Sequence, residues 1–160
     1  MVDAAMPDDA KPRRRGLWAW RIALFLFAIL AGALIWAVAV EPMLALGPGA
    51  SMEQRLTRIG REAVEYSPAI LLAIGAWCGA ALLRRAGSGK PLRAGGAGTL
   101  RAIGAAIFLA GLMQVVGAPS LLATLNTGDP ALRTEIDASG FGLLVSGLVL
   151  WLVAGAVRRN

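Results

Sequence analysis

Residues 22–40 read IALFLFAILAGALIWAVAV, a run of 19 residues without a charged side chain. At a rise of about 1.5 Å per residue, an α-helix of this length extends about 28 Å, close to the ~30 Å hydrocarbon core of a bilayer. A helix also pairs its backbone N–H and C=O groups within its own segment, as the bilayer interior requires. The run therefore predicts a membrane-spanning helix.

Three further apolar runs follow, at residues 66–83, 102–125 and 141–157. Together the four runs predict an all-α polytopic membrane protein with four transmembrane helices, which we expect to pack as a four-helix bundle. Hydrophobic residues make up 57% of the chain and charged residues only 16%, whereas about a quarter of a globular domain is charged. The composition therefore favours a membrane protein.

The runs divide the chain into a tail and one membrane domain. Residues 1–16 are polar and highly charged, and we expect them to form a disordered cytoplasmic tail. Residues 17–160 are expected to form the transmembrane domain, which leaves little chain for a soluble domain.

A short amphipathic helix is predicted between the first two spans. Ser51 and Gln54 have the spacing of a capping box, in which each side chain pairs with a backbone N–H of the other residue. The residues that follow alternate between a charged face and an apolar stripe, the stripe consisting of Met52, Leu56, Ile59, Ala63 and Tyr66. We expect this helix to lie on the outer membrane surface or on the bundle. Its charged face is interpreted as solvated, with partner docking as the alternative.

The charges between the apolar runs alternate in sign along the chain. Twelve basic and three acidic residues occur before the first run, between the second and third, and after the fourth; the other two connections carry seven acids and four bases. The positive-inside rule then places both termini and the central connection in the cytoplasm, as expected for a bacterial inner membrane. We interpret the net charge of +6 as a signal for orientation and lipid attraction, and not for direct nucleic-acid binding.

Basic and aromatic residues at the predicted cytoplasmic ends are expected to anchor the helices at the interface, where indole rings and snorkelling arginines are favoured. These residues are Arg13, Arg14, Arg15, Trp18, Trp20, Arg84, Arg85, Arg158 and Arg159. They are expected to attract the anionic lipids of the bilayer, and a specific lipid sensor is the alternative interpretation.

Small residues recur at spacings that favour close helix packing. The predicted packing residues are Gly75 and Gly79 in the second span, Gly104, Gly111 and Ala118 in the third, and Gly147 and Ala154 in the fourth. We expect them to pack the spans of one chain together, while homo-oligomerisation through the same surfaces remains open.

Gln114 is the best polar candidate inside a predicted span, about halfway along the third. A hydrogen bond across helices is the structural interpretation of Gln114, and a substrate contact is the functional one. Pro119 is expected to kink or end the same helix.

The residue types restrict the chemistry that the chain can perform. It contains no histidine and one cysteine, Cys78, so a disulfide framework and a multi-cysteine metal site are excluded within one chain. The glycines before Lys90 lack the spacing of a phosphate-binding loop, and Pro91 follows directly. We expect no enzymatic activity, no cofactor and no metal.

The second half of the chain resembles a known family. Gly89-Lys90-Pro91-Leu92, Leu100–Gly104 and Phe141–Arg159, which ends in AGAVRR, are similar to the bacterial four-helix membrane family called domain of unknown function 2975. Members often continue into a short polar tail and are frequently encoded beside a small helix-turn-helix regulator. The resemblance implies a membrane protein with a role in sensing or regulation, and it supplies no catalytic residues.

These features predict a regulatory or interaction protein whose partners are lipid and a membrane or cytoplasmic protein. The alternative is an accessory subunit of a membrane complex or a small oligomeric transporter. A neighbouring gene for a DNA-binding protein would favour regulation, and stoichiometric co-purification with another protein would favour the subunit.

Overall fold

The computed structural model describes residues 10–88, 96–128, 130, 132–135 and 138–159. The α-helices in these residues are α1 (Ala10–Ile35), α2 (Glu41–Ala45), α3 (Met52–Glu65), α4 (Ser67–Gly87), α5 (Gly96–Leu112), α6 (Ala118–Thr127) and α7 (Ala138–Arg159). π-helical turns join α1 to α2 at Trp36–Val40 and α5 to α6 at Met113–Gly117. The described residues contain no strand, and the prediction of an all-α protein is confirmed.

Four helical segments are long and apolar enough to cross a membrane, which confirms the predicted number of spans. They are Trp18–Ala45, Ser67–Arg85, Gly96–Thr127 and Ala138–Ala156. The third span begins six residues earlier than predicted, because a charged residue such as Arg101 ends an apolar run without ending a helix.

Helix α1 also begins earlier than expected. Residues 10–16 of the predicted disordered tail belong to α1, and residues 1–9 lie outside the described part of the chain. Lysine and arginine are good helix formers, and Pro12 falls in the first turn, where a proline is tolerated.

The spans differ in length, so two of them extend beyond the others on one side of the protein. The first and third spans have 28 and 32 residues and the other two have 19, so they extend about 42, 48 and 28 Å respectively. The excess length forms α2 and α6, and α3 packs against both. We call this the α3 side of the membrane domain, and the opposite side, where α4 ends, the Arg84 side.

Helix α3 is the predicted amphipathic helix, and its start is fixed by the capping box. The Ser51 N–H donates to Gln54 Oε1 over 3.0 Å, and the Gln54 N–H donates to Ser51 Oγ over 3.2 Å. The apolar stripe is covered unevenly, since Met52 is 71% exposed whereas Ile59 is half-buried. The first turns of α3 therefore leave apolar side chains available to the membrane interface.

Arg55 holds the connection between α2 and α3, although the sequence placed it on a solvated face. Its guanidinium donates to the carbonyl oxygens of Met43, Gly47 and Ala50. Gly47 has a φ of +68°, a conformation that favours glycine. One arginine thus fixes a turn made of residues with little packing of their own.

The four spans lie in a row in chain order. The first packs on α4, α4 on α5, and α5 on α7, so the first and fourth spans are the edges of the row. We expected a four-helix bundle, and the described residues show an open row of the four helices. In a bilayer an uncovered apolar face contacts lipid, so no hydrophobic force drives the row to close.

The side chains buried among the described helices are mostly small. The buried hydrophobic residues are Ala73, Ala80, Ala106, Ala110, Val115, Ala118, Ala123 and Ala154. Large apolar side chains point outward, with Phe25 66% and Leu152 55% exposed. This distribution is typical of helices that pack in lipid, where close backbone approach replaces burial of large side chains.

Candidate functional site

The closest helix contact joins α5 to α7 through glycines. A Cβ atom on Gly104 would lie 2.7 Å from the backbone nitrogen of Trp151, and one on Gly111 would lie 2.7 Å from that of Leu144. Real Cβ atoms essentially never approach so closely. The backbones of the two helices therefore meet at positions that admit only glycine.

Gly147 is the corresponding position on α7. A Cβ on Gly147 would overlap the backbone nitrogen and Cα of Phe108. Gly140 and Ala154, seven residues before and after Gly147, are also buried. The seven-residue spacing seen in the sequence thus corresponds to one continuous contact line, which we call the glycine seam.

Gly75 and Gly79 lie on α4 and face α5, but with more space around them. A Cβ on Gly75 would lie 3.4 Å from the Ala106 Cβ, and one on Gly79 would lie 4.0 Å from the Ile103 Cδ1. The second distance is an ordinary van der Waals contact, because the Ile103 side chain stands between the backbones. We expected the helix backbones to approach closely at Gly75 and Gly79. They approach more closely at the glycine seam than at Gly79.

Replacing Gly147 by alanine should destabilise the protein by about 1–3 kcal/mol, because the new methyl group has no space against α5. Gly142→Ala is the matched control on the same helix, since a Cβ there would meet nothing within 4 Å. Thermal unfolding in detergent should show a lower midpoint for Gly147→Ala and an unchanged or raised midpoint for Gly142→Ala. Equal midpoints would contradict a backbone contact at the seam.

Pro119 interrupts the backbone hydrogen bonding of the third span on the α3 side. The Ala118 N–H donates to the Met113 carbonyl, five residues back, and Pro119 has no N–H to donate to Val115, four residues back. The Val115 carbonyl instead accepts the Glu135 N–H over 2.9 Å. The bulge caused by Pro119 therefore provides an acceptor that holds the connection to α7.

Two side chains strengthen this attachment. The Ser120 hydroxyl donates to the Arg133 carbonyl over 2.9 Å and accepts the Arg133 N–H over 3.0 Å. The Gln114 amide donates to the Ser139 hydroxyl over 2.8 Å. Gln114 lies about halfway along the third span, as expected, and it is level with the first turn of α7, because the third span extends well beyond the fourth. Its hydrogen bond joins two helices, in keeping with the structural interpretation.

A groove runs along the interface between α1 and α4. It consists of an apolar part of about 620 Å³ and a second part of about 460 Å³ at the Arg84 side, with the contact between Phe27 and Trp77 standing between the two. Trp77 lines both parts, and its ring lies 5.0 Å from that of Phe27. The apolar part is otherwise lined by Ala31, Leu34, Ile35, Val38, Ala39, Ile70, Ala73 and Ile74.

The other end of this groove is basic and aromatic. Arg84 and Arg85 line it together with Trp20 and Ser88, and the Arg84 guanidinium lies 5.4 Å from the centre of the Trp20 ring. This is the geometry of a cation–π contact. The structure thus brings Trp20, Arg84 and Arg85 together from the set of predicted membrane anchors.

The remaining predicted anchors are distributed differently. Trp18 is 63% exposed and lies 5.9 Å from the Arg21 guanidinium, apart from the groove lining. The side chains of Arg13, Arg14, Arg15, Arg158 and Arg159 lie outside the described part of the structure.

Arg101 is a further basic residue of the Arg84 side. The sequence indicated it only as one of the charges that flank the third apolar run. Its guanidinium lies 5.8 Å from the Trp151 ring, beside the slot left by Gly155. Among the described residues its buried Nε has no hydrogen-bond partner. In the sequence, Trp151 followed by Gly155 one helical turn later was the pattern that could have indicated this site.

No family model matches this chain, and neither does any curated protein or solved structure. The functional interpretation therefore depends on the geometry of the chain itself, with the groove and its basic end as the candidate site.

Proposed function

We propose that this chain is a non-catalytic protein of the bacterial inner membrane that acts by interaction, with another membrane protein docking on the edge of the helix row. The alternative of an accessory subunit uses the same edge. The family resemblance noted in the sequence, with its implied role in sensing or regulation, belongs to this proposal.

The observation that carries the proposal is the open edge formed by α1. None of the most apolar window of the first span is buried inside the protein, and in the described part of the chain α1 packs chiefly on α4 among the other spans. Phe25, Leu26 and Ile29 are 54–66% exposed on this helix. An edge helix of this kind has a full face free for a second transmembrane helix.

The hydrogen bond of Gln114 supports an interaction role. Gln114, the candidate for a substrate contact, bonds to Ser139 and so fastens two helices. The arrangement favours an interaction protein over a transporter that uses Gln114.

The charges support an orientation with the Arg84 side in the cytoplasm. The ionisable side chains described on that side are Arg21, Arg84, Arg85 and Arg101, whereas the described acids all belong to the α3 side. A basic side that lacks described acids fits the positive-inside rule.

Cysteines placed at Ser88 and Thr127 in a Cys78→Ser background test this orientation, since both positions are exposed and lie on opposite sides. An impermeant thiol reagent added to intact cells should label residue 127 and not residue 88, and both after lysis. Labelling of residue 88 alone in intact cells would reverse the orientation.

A photoreactive phenylalanine at Phe25 tests the docking edge in living cells. It should give a protein adduct of defined mass, because the edge helix is expected to contact a partner helix. The matched control is Leu109, which is 46% exposed on α5 in the middle of the row. Lipid adducts alone at both positions would contradict the proposal.

A further inference from the structure

The groove between α1 and α4 combines two chemically different ends. Beside Trp77 and Phe27 its lining is apolar, whereas Arg84 and Arg85 stand at its mouth. Along α4 the distance from Arg84 to Trp77 is seven residues, or about 10 Å. An elongated molecule with an anionic head and an apolar tail is the complement of such a groove.

The two arginines lack a described counter-charge on their side. The acids that the structure describes are Glu41, Glu53, Glu62, Glu65 and Glu135, all on the α3 side. A guanidinium presents donors that match a phosphate group in a two-bond geometry. The contact between Arg84 and Trp20 orients one guanidinium at the mouth, at the level where indole rings favour the headgroup region.

Small side chains line the groove on both sides of Trp77. Ala80 and Ala81 line it between the arginines and Trp77, and Ala73 continues the lining beyond Trp77. Half of a hydrocarbon core is about 15 Å thick, so an acyl chain that starts at the arginines is long enough to run over the Trp77 ring, which is 51% exposed, to the apolar part. The headgroup and chain regions of one lipid thus fall on the two parts of the groove.

We propose that the groove between α1 and α4 binds one anionic glycerophospholipid, with its phosphate on Arg84 and Arg85 and an acyl chain along Ala81 and Trp77. The inference rests on the proposed membrane setting and goes beyond the proposed docking of a protein partner. It is independent of a protein partner on the exposed face of α1, so each proposal can fail alone.

The test is native mass spectrometry of the purified full chain with phosphatidylglycerol and with phosphatidylcholine of the same acyl chains. The wild type should bind phosphatidylglycerol more tightly. The double variant Arg84→Gln/Arg85→Gln should lose affinity for phosphatidylglycerol by about 30-fold, which corresponds to ~1 kcal/mol for each basic residue.

The matched control is Arg158→Gln/Arg159→Gln, which removes the same charge at the end of α7, the far edge of the row. It should change the affinity less than threefold. Equal losses in the two double variants would mean a diffuse surface attraction and would overturn the proposal, as would an equal affinity of the wild type for the two lipids.

A second variant tests the acyl-chain part of the groove. Ala81→Phe fills the groove at an exposed position and keeps both arginines, so it should lower phosphatidylglycerol affinity at least tenfold. Glycerophosphoglycerol, the headgroup without chains, should not displace the lipid. Unchanged binding in Ala81→Phe, or displacement by the free headgroup, would show that the apolar groove takes no part and would overturn the proposal.

Discussion

The contact between the backbones of Gly147 and Phe108 is the constraint on which the membrane domain depends. Apolar side chains gain little by moving from lipid to protein, so helices in a bilayer associate through close packing and hydrogen bonds. The glycine seam provides such packing, because a Cβ at Gly104, Gly111 or Gly147 would collide with the facing helix. Helix α4 then packs on α5 with more space, and α1 packs on α4. The tightness of packing thus decreases from α7 towards α1.

This gradient explains why the candidate site lies where it does. The described backbones of α5 and α7 are in direct contact at three glycines, whereas the α1–α4 pair leaves a groove that a lipid chain can fill. The connection to α7 is fastened separately, by the carbonyl that Pro119 leaves free and by the bond between Gln114 and Ser139. The α5–α7 half is therefore the scaffold, and the α1–α4 half provides the surfaces for interaction.

The sequence predicted the features that depend on local spacing. Run length gave the four spans, and the Ser51–Gln54 spacing gave the start of α3. Features that depend on three-dimensional proximity were missed. Arg55 bonds to carbonyls 5 to 12 residues back across an irregular turn, and Glu135 bonds to Val115, 20 residues back. The row differs from the expected four-helix bundle because lipid can cover what a bundle would bury. The basic end of the groove was also missed, because it combines Trp20 of α1 with Arg84 of α4.

Distance measurement between spin labels on α1 and α7 tests the open row most directly. Labels at Arg21 and Ala156, both exposed on the Arg84 side, belong to the two edges, with two helices between them. Three interaxial spacings of 8–10 Å predict a distance of about 25–30 Å, whereas labels at Ala102 and Ala156, on adjacent helices, should be about 10 Å apart. A distance between Arg21 and Ala156 as short as that of the adjacent pair would mean that the spans close into a bundle, and would contradict the open row.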